Sequence, residues 1–224
     1  MCVSSMLVGL AQQAAVAQSS VFDETLDEVV AESAVDLRQQ AIDVVDGMRY
    51  PDLDVTPPGK DFRKQEILLA LTSSQDSLSV PGALLDDATA LDFDVDAAHR
   101  LEQLSADPKV STEAAGVADE ALSLLVRANR QSVLDVVQMR GIFPEPYPAS
   151  VAREVRRAND AMARGDAQRD KGHESAAIHQ YVMAFEIGQG MLADLYEQFD
   201  PDGDLIPTAR EELAGLNPDA ADSD

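Results

Sequence analysis

Between residues 21 and 48 the apolar positions are Leu26, Val29, Val30, Leu37, Ala41, Val44, Val45 and Met48. Gaps of three and four of this kind belong to a helix that buries one face, not to a strand. Asp23 stands where an N-cap belongs, and Gly47 with Pro51 ends the run. Tyr50 to Gly59, with Pro51, Pro57 and Pro58, reads as a rigid connector. A second helix is expected from about Asp61 to Ser79, with Ile67, Leu68, Leu71 and Leu78 on one stripe and Pro81-Gly82 beyond it. Asp96 reads as the N-cap of a short helix carrying Ala97, Leu101 and Leu104. Ser111 opens a long helix through Val117, Ala121, Leu124, Leu125, Ala128, Val133, Val136 and Val137, ending near Gly141. The segment Ile142 to Pro148, with Pro144, Pro146 and Pro148, is a bracing loop. From Ala149 to Phe199 two helices face each other across Lys171-Gly172-His173. Val151, Val155, Ala158 and Met162 lie on the first. Ala177, Tyr181, Ala184, Phe185, Gly188, Leu192, Leu195 and Phe199 lie on the second, where the small residues permit close approach.

The pattern therefore predicts an all-α chain of about five to six helices in an antiparallel bundle, with an EF-hand-like loop at the C-terminus. Residues 21–199 form the helical domain, 149–199 its last hairpin, and 200–224 a separate C-terminal segment. Residues 1–20 carry an apolar run from Val3 to Leu10, followed by Ala15-Val16-Ala17, but no Lys or Arg precedes Arg38. They read either as a truncated signal peptide or as an apolar N-terminal helix. The run is too short for a membrane span, which needs about 20 apolar residues, so no transmembrane span is expected.

The chemistry-bearing stretch is Asp200-Pro-Asp-Gly-Asp-Leu-Ile-Pro-Thr-Ala-Arg-Glu211. Asp200, Asp202, Asp204 and Glu211 fall at positions one, three, five and twelve of an EF-hand-type loop. Ile206 supplies a carbonyl at position seven, and Thr208 a hydroxyl or bridging water at position nine. A hard cation takes about 6–8 oxygens, and this spacing offers them to Ca²⁺. Position six, usually Gly for the sharp turn, is Leu205, although Gly203 relieves part of the bend. The alternative is a solvated acidic turn capping the next helix, which Asp-Pro-Asp-Gly-Asp would also produce. The alternating Asp92, Asp94 and Asp96 do not repeat the motif: their position six would be Ala97 and their position twelve Gln103.

The 200–224 segment resembles the thrombospondin type 3-like calcium repeats of secreted microbial proteins. The resemblance rests on Asp200–Asp204, Ile206-Pro207, Glu211, Gly215 to Pro218, and then Asp219, Asp222 and Asp224. Leu205 and Thr208 depart from the family, which usually has Gly and Asp there. The segments Ala163-x-Gly165-Asp166, Lys171-Gly172, Ala176-Ala177-Ile178 and Tyr181-x-x-Ala184 look like one tetratricopeptide-type hairpin. No repeat of about 34 residues accompanies it. More loosely, residues 60–199 are similar to helical modules in secreted multidomain proteins of halophilic archaea and actinobacteria. That likeness implies a structural or attachment role.

Charge sharpens the picture. Lys and Arg number 17 against 41 Asp and Glu, a net charge of −24, which argues against nucleic acid as a partner. At 45% apolar residues the chain is no acidic disordered tail. Such an acidic folded chain resembles proteins of salt-loving archaea, since in about molar salt the screening length falls to about 3 Å. Cys2 is the single cysteine, so no intrachain disulfide forms, and no lipobox precedes it. His99, His173 and His179 are dispersed, with no metalloprotease, phosphate-loop, dinucleotide or nucleophile-elbow motif beside them. The expected function is a non-enzymatic, secreted or surface-associated helical structural or interaction domain with one low-affinity calcium site. Its partners are calcium and another protein or flanking domains. The alternative is an intracellular acidic helical adaptor that binds a partner peptide and no metal.

Overall fold

The computed structural model of the chain describes residues 32–49, 62–78 and 89–200. Six α-helices run through them: α1 (Ala34–Gly47), α2 (Arg63–Leu78), α3 (Thr89–Ala106), α4 (Thr112–Gln138), α5 (Ala149–Arg169) and α6 (Glu174–Phe199). They belong to one unit, which begins at Ser33. No strand occurs among the described residues, and the all-α bundle expected from the apolar spacing is what the chain forms. None of these helices is long and apolar enough to cross a membrane. Residues 1–20, Asp23, the connector at 50–59 and Pro81-Gly82 lie outside the described residues.

The helix starts follow local chemistry. Ser33 caps α1, its hydroxyl accepting from the Asp36 amide at 3.0 Å, and Ser111 caps α4 by accepting from the Ala114 amide at 3.2 Å. The helix carrying Leu37, Ala41 and Val45 therefore starts at Ser33 and not at Asp23, because a hydroxyl three residues before a free amide ends the run backward. A second correction concerns Asp96, which lies inside α3 and caps nothing. No breaker separates Thr89 from Asp96, and Leu91, Ala97, Ala98, Leu101 and Leu104 share the buried face. α5 ends in a Schellman motif. The His173 amide donates to the Gln168 carbonyl (3.0 Å) and Gly172 to that of Arg169 (2.8 Å), with Gly172 at φ 74°. A side chain there would meet the left-handed penalty, so glycine is what closes this turn.

α4 is the central element and packs against α1, α3, α5 and α6. It buries Ala118, Ala121, Leu122, Leu125, Val126 and Val136 around more than one face, as a helix with neighbours on several sides must. α2 pairs antiparallel with α3, tied by Arg63 to Asp107 (2.8 Å) and Arg100 to Glu66 (2.5 Å). α5 and α6 form the expected hairpin. Glycine permits two close approaches: a β-carbon on Gly165 would overlap the Tyr181 ring, and one on Gly188 would overlap Val136. Each fully buried Leu, Ile or Phe here contributes about 1.5–3 kcal/mol against exposure. After α4 a short 3-10 turn, Met139–Ile142, delivers Phe143 into the core beside the end of α6.

Candidate functional site

Asp200 is the C-cap of α6. Its amide donates to the Tyr196 carbonyl at 2.8 Å, and the backbone there leaves helical geometry (φ −138°, ψ 75°). The residue is 5% exposed. Phe143 meets Tyr196 edge to face with ring centroids 4.8 Å apart and lies 6.1 Å from Phe199, so three aromatics cluster at the C-terminal end of α6. Of the expected calcium ligands, Asp200 alone belongs to the described residues. Asp202, Asp204, Ile206, Thr208 and Glu211 lie outside them, as does Leu205.

Among the described residues no group of three or more His, Cys, Asp or Glu is arranged to hold a metal. Asp92 and Asp96 are exposed on one face of α3, while Asp94 is buried on the opposite face. Helical geometry thus splits the alternating trio that a loop would have kept together. His99, His173 and His179 are all exposed, and His173 Nδ1 lies 3.1 Å from Gln168 Oε1. An open groove of about 430 Å³ between α1 and α4 is bordered by Asp43, Glu120 and Arg127.

The most elaborate polar arrangement is buried, and sequence reasoning missed it. Arg38 on α1 and Asp94 on α3 are both fully buried and pair at 2.7 Å. Every guanidinium donor is used. Nε and Nη2 donate to Asp94 Oδ2 at 2.9 and 2.7 Å, Nη1 donates to the Ala34 carbonyl at 3.2 Å, and both terminal nitrogens donate to Ser132 Oγ at 3.3 Å. Asn129 on α4 adds a third donor to Asp94 Oδ2 at 2.9 Å and also bonds the Leu125 carbonyl. One ion pair thereby fixes the mutual register of α1, α3 and α4. Nearby, burial pushes the Asp135 carboxyl up, while the Gln131 hydrogen bond and the Arg38 charge pull it down; burial wins. A signal existed: Arg38 occupies the Ala34–Ala41–Val45 stripe and Asp94 the Leu91–Ala98–Leu101 stripe, opposite charges each at a core position.

Two further carboxylates tie helices together. Glu102 on α3 receives the Ser175 amide at 2.9 Å and its hydroxyl at 2.7 Å, so the start of α6 is capped from another helix where His173 supplies no cap. Asp166 on α5 receives Tyr181 Oη at 2.7 Å and Arg130 Nε at 3.0 Å. Burial raises the Asp166 carboxyl, but those hydrogen bonds outweigh it and hold the group below its ordinary range. Burial and the Asp166 contact push the Tyr181 phenol well above its own range. Glu174 goes the other way, raised by burial and then by Asp119 and Glu102.

These directions set opposite responses to acid. The lowered Asp166 contributes stability above the unfolded carboxylate pKa, and that contribution is lost as pH falls through the folded value. The raised Glu174 opposes folding once pH rises through its folded value, above about 4.3. Asp166→Asn is therefore expected to flatten the loss of thermal midpoint below about pH 4, and Glu174→Gln to raise the midpoint at pH 7. Thermal unfolding followed by circular dichroism from pH 2 to 7 checks both; a steeper acid loss in Asp166→Asn would reverse the assignment.

No protein-family model matches the chain, and no curated protein or solved structure matches it.

Proposed function

We propose that this chain is a non-enzymatic helical structural and interaction domain, secreted or surface-associated, with one low-affinity calcium site at its C-terminal end. The observation that carries the reading is Asp200: the first residue of a twelve-residue acidic spacing is buried at the end of α6, where its amide is held by the Tyr196 carbonyl. Asp200, Asp202, Asp204 and Glu211 would hold the ion through carboxylates, with the Ile206 carbonyl and Thr208 completing the shell. Its charge would neutralise part of an acidic stretch that otherwise repels itself. The role is bracing: the chain leaving α6 is held at a fixed angle to the bundle. Affinity on the order of 10⁻⁴–10⁻³ M suits an extracellular setting. A net charge of −24 suits high salt, where self-repulsion is screened.

Calorimetric calcium titration in about 2 M KCl tests this. Wild type should bind at one saturable site, and Asp202→Ala with Glu211→Ala should abolish it. Absence of binding up to millimolar calcium would sink the metal reading. The second reading, an intracellular acidic adaptor that grips a partner peptide without metal, would then lead. Phe62 and Leu69 on the α2 side and Phe93 on α3, all exposed apolar side chains on paired elements, favour it.

A further inference from the structure

The buried ion pair is satisfied on one side only. Asp94 Oδ2 accepts three hydrogen bonds, from Arg38 Nε, Arg38 Nη2 and Asn129 Nδ2. Asp94 Oδ1 accepts none from the protein, and neither does Asn129 Oδ1, although both residues are essentially inaccessible. The Asn129 amide cannot be reversed to mend this. Its nitrogen already donates to Asp94 and to the Leu125 carbonyl, and an oxygen in that place would face two acceptors. Ser74 on α2 is the third such group. It is fully buried, and its hydroxyl has no protein partner. Ser132 shows the ordinary solution for a helical serine, donating to the carbonyl four residues back (Ala128, 3.1 Å); Ser74 does not take it.

Helix pairing brings these three residues to one level of the bundle. Asp94 and Asn129 are hydrogen-bonded to each other. The ties Arg63–Asp107 and Glu66–Arg100 set the antiparallel register of α2 and α3, and continuing that register brings position 74 opposite positions 92–96. Buried polar atoms of native proteins find partners, and where the protein supplies none an ordered water does. We propose that α2, α3 and α4 enclose an internal water site that completes the Arg38–Asp94 centre. The water donates its two hydrogens to Asp94 Oδ1 and Asn129 Oδ1 and accepts the Ser74 hydroxyl proton. Three bonds to one molecule match the usual coordination of a buried water. A bound cation fits less well: the Arg38–Asp94 pair is already neutral, the guanidinium would repel a second positive charge, and Ser74 would lose its acceptor.

The test is a high-resolution crystal structure of the full chain grown from potassium chloride, with a second crystal soaked in rubidium chloride. The expected result is one density peak about 2.7–3.2 Å from both Asp94 Oδ1 and Asn129 Oδ1, without anomalous signal after the soak. An anomalous rubidium peak at that place would replace the water by a monovalent cation. No peak, or a protein donor seated on Asp94 Oδ1, would overturn the proposal outright. In solution, water relaxation dispersion of the wild type should detect a long-lived internal water, and Asn129→Leu should lose one water's share of the amplitude. An unchanged amplitude in a folded Asn129→Leu counts against the site, and the wild-type density decides the matter if that variant does not fold.

Discussion

Asp94→Ala is expected to lower the unfolding free energy by about 3–5 kcal/mol, a large part of the roughly 5–15 kcal/mol that holds a domain together. The reason is what the substitution leaves behind. Arg38 remains fully buried, with Nε and one of the two Nη2 hydrogens deprived of their acceptor, and no other carboxylate among the described residues bonds it directly. The loss is therefore desolvation of an unpaired cation, not merely one missing contact. The same logic predicts the rescue. Arg38→Met combined with Asp94→Leu removes both charges and fills their volume, while Ser132 keeps the Ala128 carbonyl and Asn129 keeps that of Leu125. The double variant should lie within about 1–2 kcal/mol of wild type, or above it, because apolar replacement of a buried pair is often neutral or stabilising. Urea unfolding of the three proteins in constant salt gives the comparison. A single variant costing less than about 1 kcal/mol would mean that the pair is hydrated in solution.

What such a pair provides is register more than stability. α1, α3 and α4 present mainly Ala, Val and Leu to one another, and a charge with one partner in one place adds a fixed point to those non-directional contacts. This also explains why the arrangement was hard to read from the chain. The helices at 63–78, 112–138, 149–169 and 174–199 follow from apolar spacing, caps and the Lys171-Gly172-His173 turn; that at 34–47 follows in its apolar stripe and its end, but not in its start, which Ser33 and not Asp23 caps. α3 was misplaced at its start because Asp94 and Asp96 broke the apolar stripe, and a charged residue reads as surface unless its partner is known. That partner, Arg38, lies 56 residues away on another helix. The tertiary cap from Glu102 to Ser175 is invisible for the same reason: its two halves are 73 residues apart. The acidic spacing at 200–211 is the opposite case: the residues proposed as calcium ligands are close together in sequence, so the motif is read without any tertiary information. Of those residues, the fold accounts for the anchoring of Asp200 and no other.

Gly165→Ala is expected to destabilise the bundle by about 1–3 kcal/mol, although alanine in an exposed helix interior ordinarily gains about 0.5–1 kcal/mol over glycine. The sign is reversed by Tyr181. A β-carbon at position 165 would overlap that ring, and the ring has nowhere to go. It is fully buried, and its hydroxyl is held by Asp166, which is itself held by Arg130. Relief must come from α5 moving away from α6, which would loosen the hairpin. Gly190→Ala on α6 is the control, since its β-carbon meets nothing within 4 Å, and it should stabilise by up to about 1 kcal/mol. Tyr181→Leu in the Gly165→Ala background removes the overlapping edge of the ring and should make the second substitution cheaper than it is in the parent. That coupling, read from a double-mutant cycle by chemical unfolding, separates a steric cause from a propensity effect. Additive costs would show that the hairpin does not depend on this contact, and the close approach of α5 and α6 would then need another explanation.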